Sequence, residues 1–263
     1  MSFINYATKT IAIKIVYYGP GLSGKTTNLR YIYYKLDSAY RGELVCLETD
    51  TERTYFFDLL PIRAGMIREF KVHFQLMTVP GQVFYEASRK SVLRGADGII
   101  FVADSQIPLL DANLENFDGL RRNCLQHDID LMKVPLVFQY NKRDLTYLIP
   151  VETFNNLLNP RRCPSVEAVA VNGVGVFESL REISKMAVPL VREKLFGERP
   201  REERDEQQLT AADMDGLKEK GLGTEVEASP AAPPPNPVTK VKVKSHRDIE
   251  DELDKLSKEF VEK

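Results

Sequence analysis

Residues Gly19-Pro-Gly-Leu-Ser-Gly24-Lys25-Thr26 restrict the fold of this chain more than any other stretch. An apolar, strand-like run, Ile11–Tyr18, leads into them, and a helical pattern over Gly24–Leu36 follows. A glycine-rich turn between a strand and a helix, ending in Lys-Thr, is the P-loop pattern. Gly19 and Gly24 allow backbone angles that a side chain obstructs, so successive N–H groups can point inward at phosphate oxygens. The start of the helix adds partial positive charge to the cradle. Gly19, Gly21, Leu22, Ser23, Gly24, Lys25, Thr26 and Thr27 are therefore the candidate phosphate-binding residues. Lys25 can reach the β- and γ-phosphates, and the Thr26 hydroxyl can ligate Mg²⁺.

The alternation of strand and helix continues to about residue 196. Leu44–Leu47, Val72–Val79, Gly98–Asp104, Leu136–Tyr140 and Val166–Val171 read as further strands. Tyr85–Leu93, Leu109–Gln126, Val151–Leu158 and Val176–Leu195 read as further helices. This pattern predicts an α/β fold, a mostly parallel sheet with helices on both faces, with ligands at the carboxyl ends of the strands.

Aromatic residues set the boundary of that domain at 1–196. All 11 tyrosines precede residue 150, and of the 13 phenylalanines only Phe260 lies beyond Phe196. A stretch without large apolar side chains cannot offset the entropy of ordering its backbone. Residues 197–244, charged at first and then Pro-rich over Ala228–Pro237, read as a disordered linker. Residues 245–263 read as a short amphipathic helix capped by Ser245, with Ile249, Leu253, Leu256 and Phe260 on one seam. So short a helix is marginal alone, and the tail is a candidate for binding a further partner. Val238-Thr-Lys-Val-Lys-Val-Lys244 alternates like a strand and offers another mode, addition to a sheet edge.

Charge and cysteine usage exclude several classes. A net charge of −2 implies neither a nucleic-acid partner nor an acidic membrane surface. Cys46, Cys124 and Cys163 are odd in number and widely spaced, which suits a reducing cytoplasm and gives no zinc spacing. Lys14 interrupts the apolar run of Met1–Tyr18, and no stretch has the length of a membrane span. Ser2 follows Met1, and Val261-Glu262-Lys263 carries no prenylation cysteine, so no direct lipid anchor is expected. His73 sits in an alternating strand pattern and reads as structural or solvated.

A P-loop does not choose its base. Asn141-Lys142-Arg143-Asp144, directly after the Leu136–Tyr140 strand, supplies the choice. A carboxylate at Asp144 can accept from both the ring N–H and the exocyclic amine of guanine, a pair that adenine lacks. Asn141 would brace the loop and the Lys142 stem would lie against the purine.

Together these residues resemble the Ras-like small GTPases, and more closely the MglA family of bacterial members, which govern cell polarity and motility. The shared marks run through residues 1–196. They are Met-Ser-Phe-Ile-Asn-Tyr at the start, Lys14–Leu22, Arg53-Thr54 with Phe56-Phe57-Asp58, and Thr78-Val-Pro-Gly-Gln-Val-Phe-Tyr85. Phe101–Gln106, Asn141–Asp144 and Gly173-Val-Gly-Val-Phe177 complete them. The resemblance implies a switch between GTP and GDP states with slow hydrolysis and Mg²⁺. It also implies an MglB-like roadblock-domain activator, polarity or motility effectors, and recruitment from the cytoplasm to a cell pole or membrane-associated machinery through partners.

It further implies roles for particular residues. Gln82 would orient the attacking water, and Gly81 would sense the γ-phosphate through its N–H. Arg53 would be an arginine finger supplied within the chain. Thr54 is the preferred γ-phosphate and metal ligand, with Thr51 and Thr49 as rivals. A side chain at Gly21 would crowd the water and the finger, and Ala170 would approach the guanine oxygen through its N–H. Thr78 stands where most Ras-like proteins have the aspartate that holds Mg²⁺ through water, so weaker metal retention is expected. A nucleotide-holding scaffold without turnover and a P-loop kinase or ATPase are the competing readings.

Overall fold

The apolar run ahead of the glycine-rich turn is a strand at the centre of one nine-stranded sheet. The computed structural model describes residues 3–49, 57–80, 86–127, 129–197 and 239–243. In chain order the strands are β1 (Phe3–Asn5), β2 (Thr10–Tyr18), β3 (Val45–Thr49), β4 (Phe57–Ile67), β5 (Phe70–Thr78), β6 (Gly98–Asp104), β7 (Leu136–Asn141), β8 (Ser165–Glu167) and β9 (Thr239–Val243). The helices are α1 (Lys25–Lys35), α2 (Glu86–Leu93), α3 (Leu110–Gln126), α4 (Val151–Leu157) and α5 (Val176–Phe196). The sheet runs β8-β7-β6-β2-β5-β4-β3-β9, with β1 antiparallel to the start of β2. From β8 through β5 every pairing is parallel; β4 reverses direction against both β5 and β3.

Strand alternation builds the two faces. Ile11, Ile13, Ile15 and Tyr17 pack with Leu29 and Ile32 of α1 and with Leu180, Ile183 and Ala187 of α5. Val16 and Tyr18 face the other way, into a cluster with Leu93 of α2, Phe117 and Leu120 of α3, and Phe154 of α4. Both faces of the central strands are thus dry, as the α/β reading requires. Among the described residues, no helix is long and apolar enough to cross a membrane.

Three differences from the sequence reading have physical causes. β4 was not anticipated because Asp58, Pro61 and Gly65, all disfavoured in strands, interrupt its pattern, and Phe57–Ile62 are buried in succession without alternation. β1 is only three residues long, too short to show a period. β8 stops at Glu167, well before Val171, because the Val169 N–H turns back to the Val174 carbonyl. β9, inside the 197–244 stretch that composition reads as linker, is the strand that the alternation of Val238–Lys244 offered, and it pairs with β3. The rest of that stretch and the 245–263 helix lie outside the described residues.

Candidate functional site

Because β2, β6 and β7 are parallel neighbours, the loops that follow them emerge at the same end of the sheet. The first is the glycine-rich turn. Gly19 has φ +142°, and a Cβ there would meet the Val102 carbonyl oxygen at 2.2 Å. Gly24, the residue before α1, has φ +102°, and its Cβ would come within 2.2 Å of Asn141 Nδ2. Each glycine is needed for its backbone angle and for space. Leu22 reaches φ +62° without being glycine and is 91% exposed. Lys25 is buried, and its Nζ donates to the carbonyls of Gly19 (2.8 Å) and Pro20 (2.5 Å). Burial, reinforced by the Arg89 guanidinium and opposed by Asp58, pushes its pKa down to about 7. A negative phosphate would favour the charged form. Ser23 is buried in the loop, and Gly21, Thr26 and Thr27 are half-buried around it.

The second loop is fastened to the first by one amide. Asn141 Nδ2 donates to the Ser23 carbonyl at 2.8 Å, and its Oδ1 accepts the Ala170 N–H at 2.9 Å. Three loops meet at this side chain. The Ala170 N–H thereby holds the Asn141 side chain in place. Lys142, with φ +67°, forms an ion pair with Asp104 at 2.6 Å, and Gln106 Nε2 donates to the same carboxylate. That pair holds the Lys142 stem at the end of β6, while Asp144 is exposed. Behind the loops, Asn28 of α1 and Gln139 of β7 exchange amide hydrogen bonds of 2.8 and 2.9 Å, and Gln139 also donates to Ser179 of α5. Buried and satisfied, this group fixes α1 against β7.

A third feature supplies the negative charge that Thr78 lacks. Asp58 of β4 is buried, and its Oδ2 accepts hydrogen bonds from the Thr26 hydroxyl (2.6 Å) and the Thr78 hydroxyl (3.0 Å). The Asp58 N–H in turn donates to Thr78 Oγ1 at 2.9 Å. A carboxylate and two hydroxyls are hard oxygen donors, a set that fits Mg²⁺ completed by phosphate and water. Among the described residues, no group of three or more His, Cys, Asp or Glu could hold a metal.

The chain is 54% identical over 188 residues to the mutual gliding-motility protein MglA of Myxococcus xanthus (strain DK1622). The match covers 72% of this chain and 96% of that relative. The chain belongs to the MglA family. No protein-family model matches it. The MglA match leaves more than a quarter of this chain outside it.

Asp58, buried beside Thr78, is the residue that sequence reasoning passed over. The signal was present: an aspartate in the Phe56-Phe57-Asp58 mark, set inside an apolar run between Phe57 and Leu59. Asp104, which ends β6 within the Phe101–Gln106 mark, was given no role of its own and is 1% exposed. Arg53, Thr54, its rival Thr51, Gly81 and Gln82 lie outside the described residues, and Thr49 ends β3. His73 is buried on β5 and not solvated; burial first, then Arg63 and Lys71, pushes its pKa down to about 4. Burial likewise pushes the Cys124 thiol up to about 12, which leaves it a packing residue.

Proposed function

We propose that this chain is a GTP-operated switch that hydrolyses GTP slowly and acts in gliding motility, as the name of its relative states for that protein, and in cell polarity. The observation that carries the reading is the Asn141 amide, which joins the phosphate loop to the base-reading loop in one rigid unit. A site built this way senses base and phosphates together. Asp144 would accept from the guanine ring N–H and amine, and the Lys142 stem, restrained by Asp104, would lie along the purine. Lys25 would leave its loop carbonyls for the β- and γ-phosphates.

Mg²⁺, when bound, would neutralise charge on the β- and γ-phosphate oxygens. Thr26 would ligate it, and Asp58, with Thr78, would hold that hydroxyl and the ion's water in place. Thr54 would close over the γ-phosphate, Gly81 would report its presence, Gln82 would orient the attacking water, and Arg53 would stabilise the charge of the transition state. An in-chain arginine of this kind contributes ~10³–10⁵-fold in turnover. An MglB-like roadblock-domain activator would stimulate hydrolysis, and effectors at a cell pole or membrane-associated machinery would read the GTP form from the cytoplasm.

The test is a titration of the full chain with fluorescent GTP, GDP and ATP in the presence of Mg²⁺, followed by single-turnover phosphate release. Guanine nucleotides should bind at least ~100-fold more tightly than ATP. Gln82→Leu should retain GTP unhydrolysed. Preference for ATP would overturn the base assignment, and wild-type-like turnover in Gln82→Leu would overturn the role of Gln82. Tight GTP binding with no phosphate release, activator present, would leave a scaffold in place of a switch.

A further inference from the structure

A sheet edge offers a row of unpaired N–H and C=O groups to any extended chain that reaches it, and proteins cover or blunt such edges. Here the edge beyond β3 is covered by β9. The pairing is parallel and in register over five residues, from Val45 opposite Thr239 to Thr49 opposite Val243. At its start the Thr239 hydroxyl and the Glu43 carboxylate are 3.0 Å apart. β3 then runs directly into residues 50–56, where the first switch is expected. The edge and the nucleotide-sensing segment are one continuous piece of chain.

The connection between Gly197 and Thr239 does not restrict the geometry. Forty-one residues, 198–238, separate them. Such a length spans up to roughly 140 Å extended, against roughly 40 Å for the width of a domain of this size. The tail can therefore pair with its own domain, and tethering gives it a local concentration on the order of millimolar.

We propose that the outer edge of β3 is a strand-accepting surface whose occupant is the chain's own segment Thr239–Val243, so that the tail competes with any extended peptide that adds to the sheet beside the first switch. Recognition in this mode rests on main-chain hydrogen bonds, with side chains adjusting specificity. A partner that docks there supplies an extended, strand-forming segment and displaces β9. The inference rests on the register of β3 and β9 and holds whatever nucleotide the site takes.

The experiment uses the full chain and the double variant V241P/K242P. In a ladder to one neighbour, alternate N–H groups face the partner, so two adjacent prolines remove a ladder donor whichever parity is used. The probe is a labelled synthetic peptide with the sequence of residues 236–246. The variant should bind it at least ~10-fold more tightly than wild type, whose edge is already filled. The amides of residues 45–49 that face β9, alternate ones along β3, should lose protection in the variant and regain it when the peptide is added. Equal affinity for the two proteins, or no binding by the variant, overturns the proposal. Absence of any protected amide among residues 240–243 in the wild-type chain overturns it without recourse to the variant. A wild-type dimer in sedimentation that the variant does not form would assign the edge to a second copy and overturn pairing within one chain.

Discussion

The Asp58 carboxylate accepts the Thr78 hydroxyl at 3.0 Å, one step beyond the Leu59–Met77 pair of the β4–β5 hairpin. The acid missing from the end of β5 is thus supplied by the adjacent strand, and the same oxygen holds Thr26 at 2.6 Å. Asp58→Ala removes that charge and leaves two hydroxyls without their acceptor. The Mg²⁺-dependent part of nucleotide affinity should fall about 10–100-fold. Stability should drop by about 1–3 kcal/mol. Titration of nucleotide affinity against Mg²⁺, with and without chelator, measures the first effect; an unchanged metal dependence would remove Asp58 from the metal environment.

The hairpin also predicts a rescue. Thr78→Asp alone would place two buried carboxylates within hydrogen-bonding distance, and one would have to be protonated or displaced. That variant should melt below wild type and bind Mg²⁺–nucleotide less tightly. The exchange D58T/T78D keeps one carboxylate and one hydroxyl at the pair, and should recover most of both losses. A double variant no better than the sum of the two single variants would show that Asp58 and Thr78 do not act as a pair.

The parts of this molecule that were legible are those whose sequence carries a local rule. Gly19–Thr26 needs positive φ and absent side chains, which only particular residues allow, and Ile11–Tyr18 is a nearly unbroken apolar run because its two faces meet two helical layers. Asn141 was legible as a bracing residue because it directly follows the apolar Leu136–Tyr140 run. Asp58 was not, since its meaning depends on Thr78, twenty residues away and adjacent only through an antiparallel pairing. Its own strand was hidden by Pro61 and Gly65. The hydrogen bond from the Ala170 N–H to Asn141 was equally out of reach, because a backbone group has no sequence signature. β9 was only half legible: the Val-Lys alternation signalled a strand, while its partner could not be read from it.

Asn141 links the Ser23 carbonyl to the Ala170 N–H, so Asn141→Ala should release both loops at once. Two buried partners lose their hydrogen bonds, which costs about 1–3 kcal/mol each if water cannot reach them. Guanine-nucleotide affinity should fall about 100-fold or more, in line with that energy. The loss should be shared by GTP and GDP, since the amide braces base and phosphate loops together. Calorimetric titration with each nucleotide checks this, and a loss confined to GTP would contradict the bracing role.

His73 gives the domain a dependence on pH. It is 6% exposed on β5, with Arg63 opposite it on β4 and Lys71 beside it on its own strand, and its pKa is pushed down to about 4 from 6.5. The folded chain therefore prefers neutral imidazole, while the unfolded chain takes up a proton near its ordinary value. Between these values the unfolded state binds more protons, so stability rises with pH. The contribution is complete above pH 6.5 and is lost as pH falls from there towards 4. Its size is on the order of 2 kcal/mol, or about 4–8 °C in Tm for a domain of this length. His73→Gln cannot ionise, so its melting temperature should decline less over that interval, whatever its value at neutral pH. Carboxylates that begin to protonate near pH 4 act on both proteins and cancel in the comparison. Parallel Tm curves for the two proteins from pH 7 to pH 4.5 would show that the buried imidazole does not set this dependence.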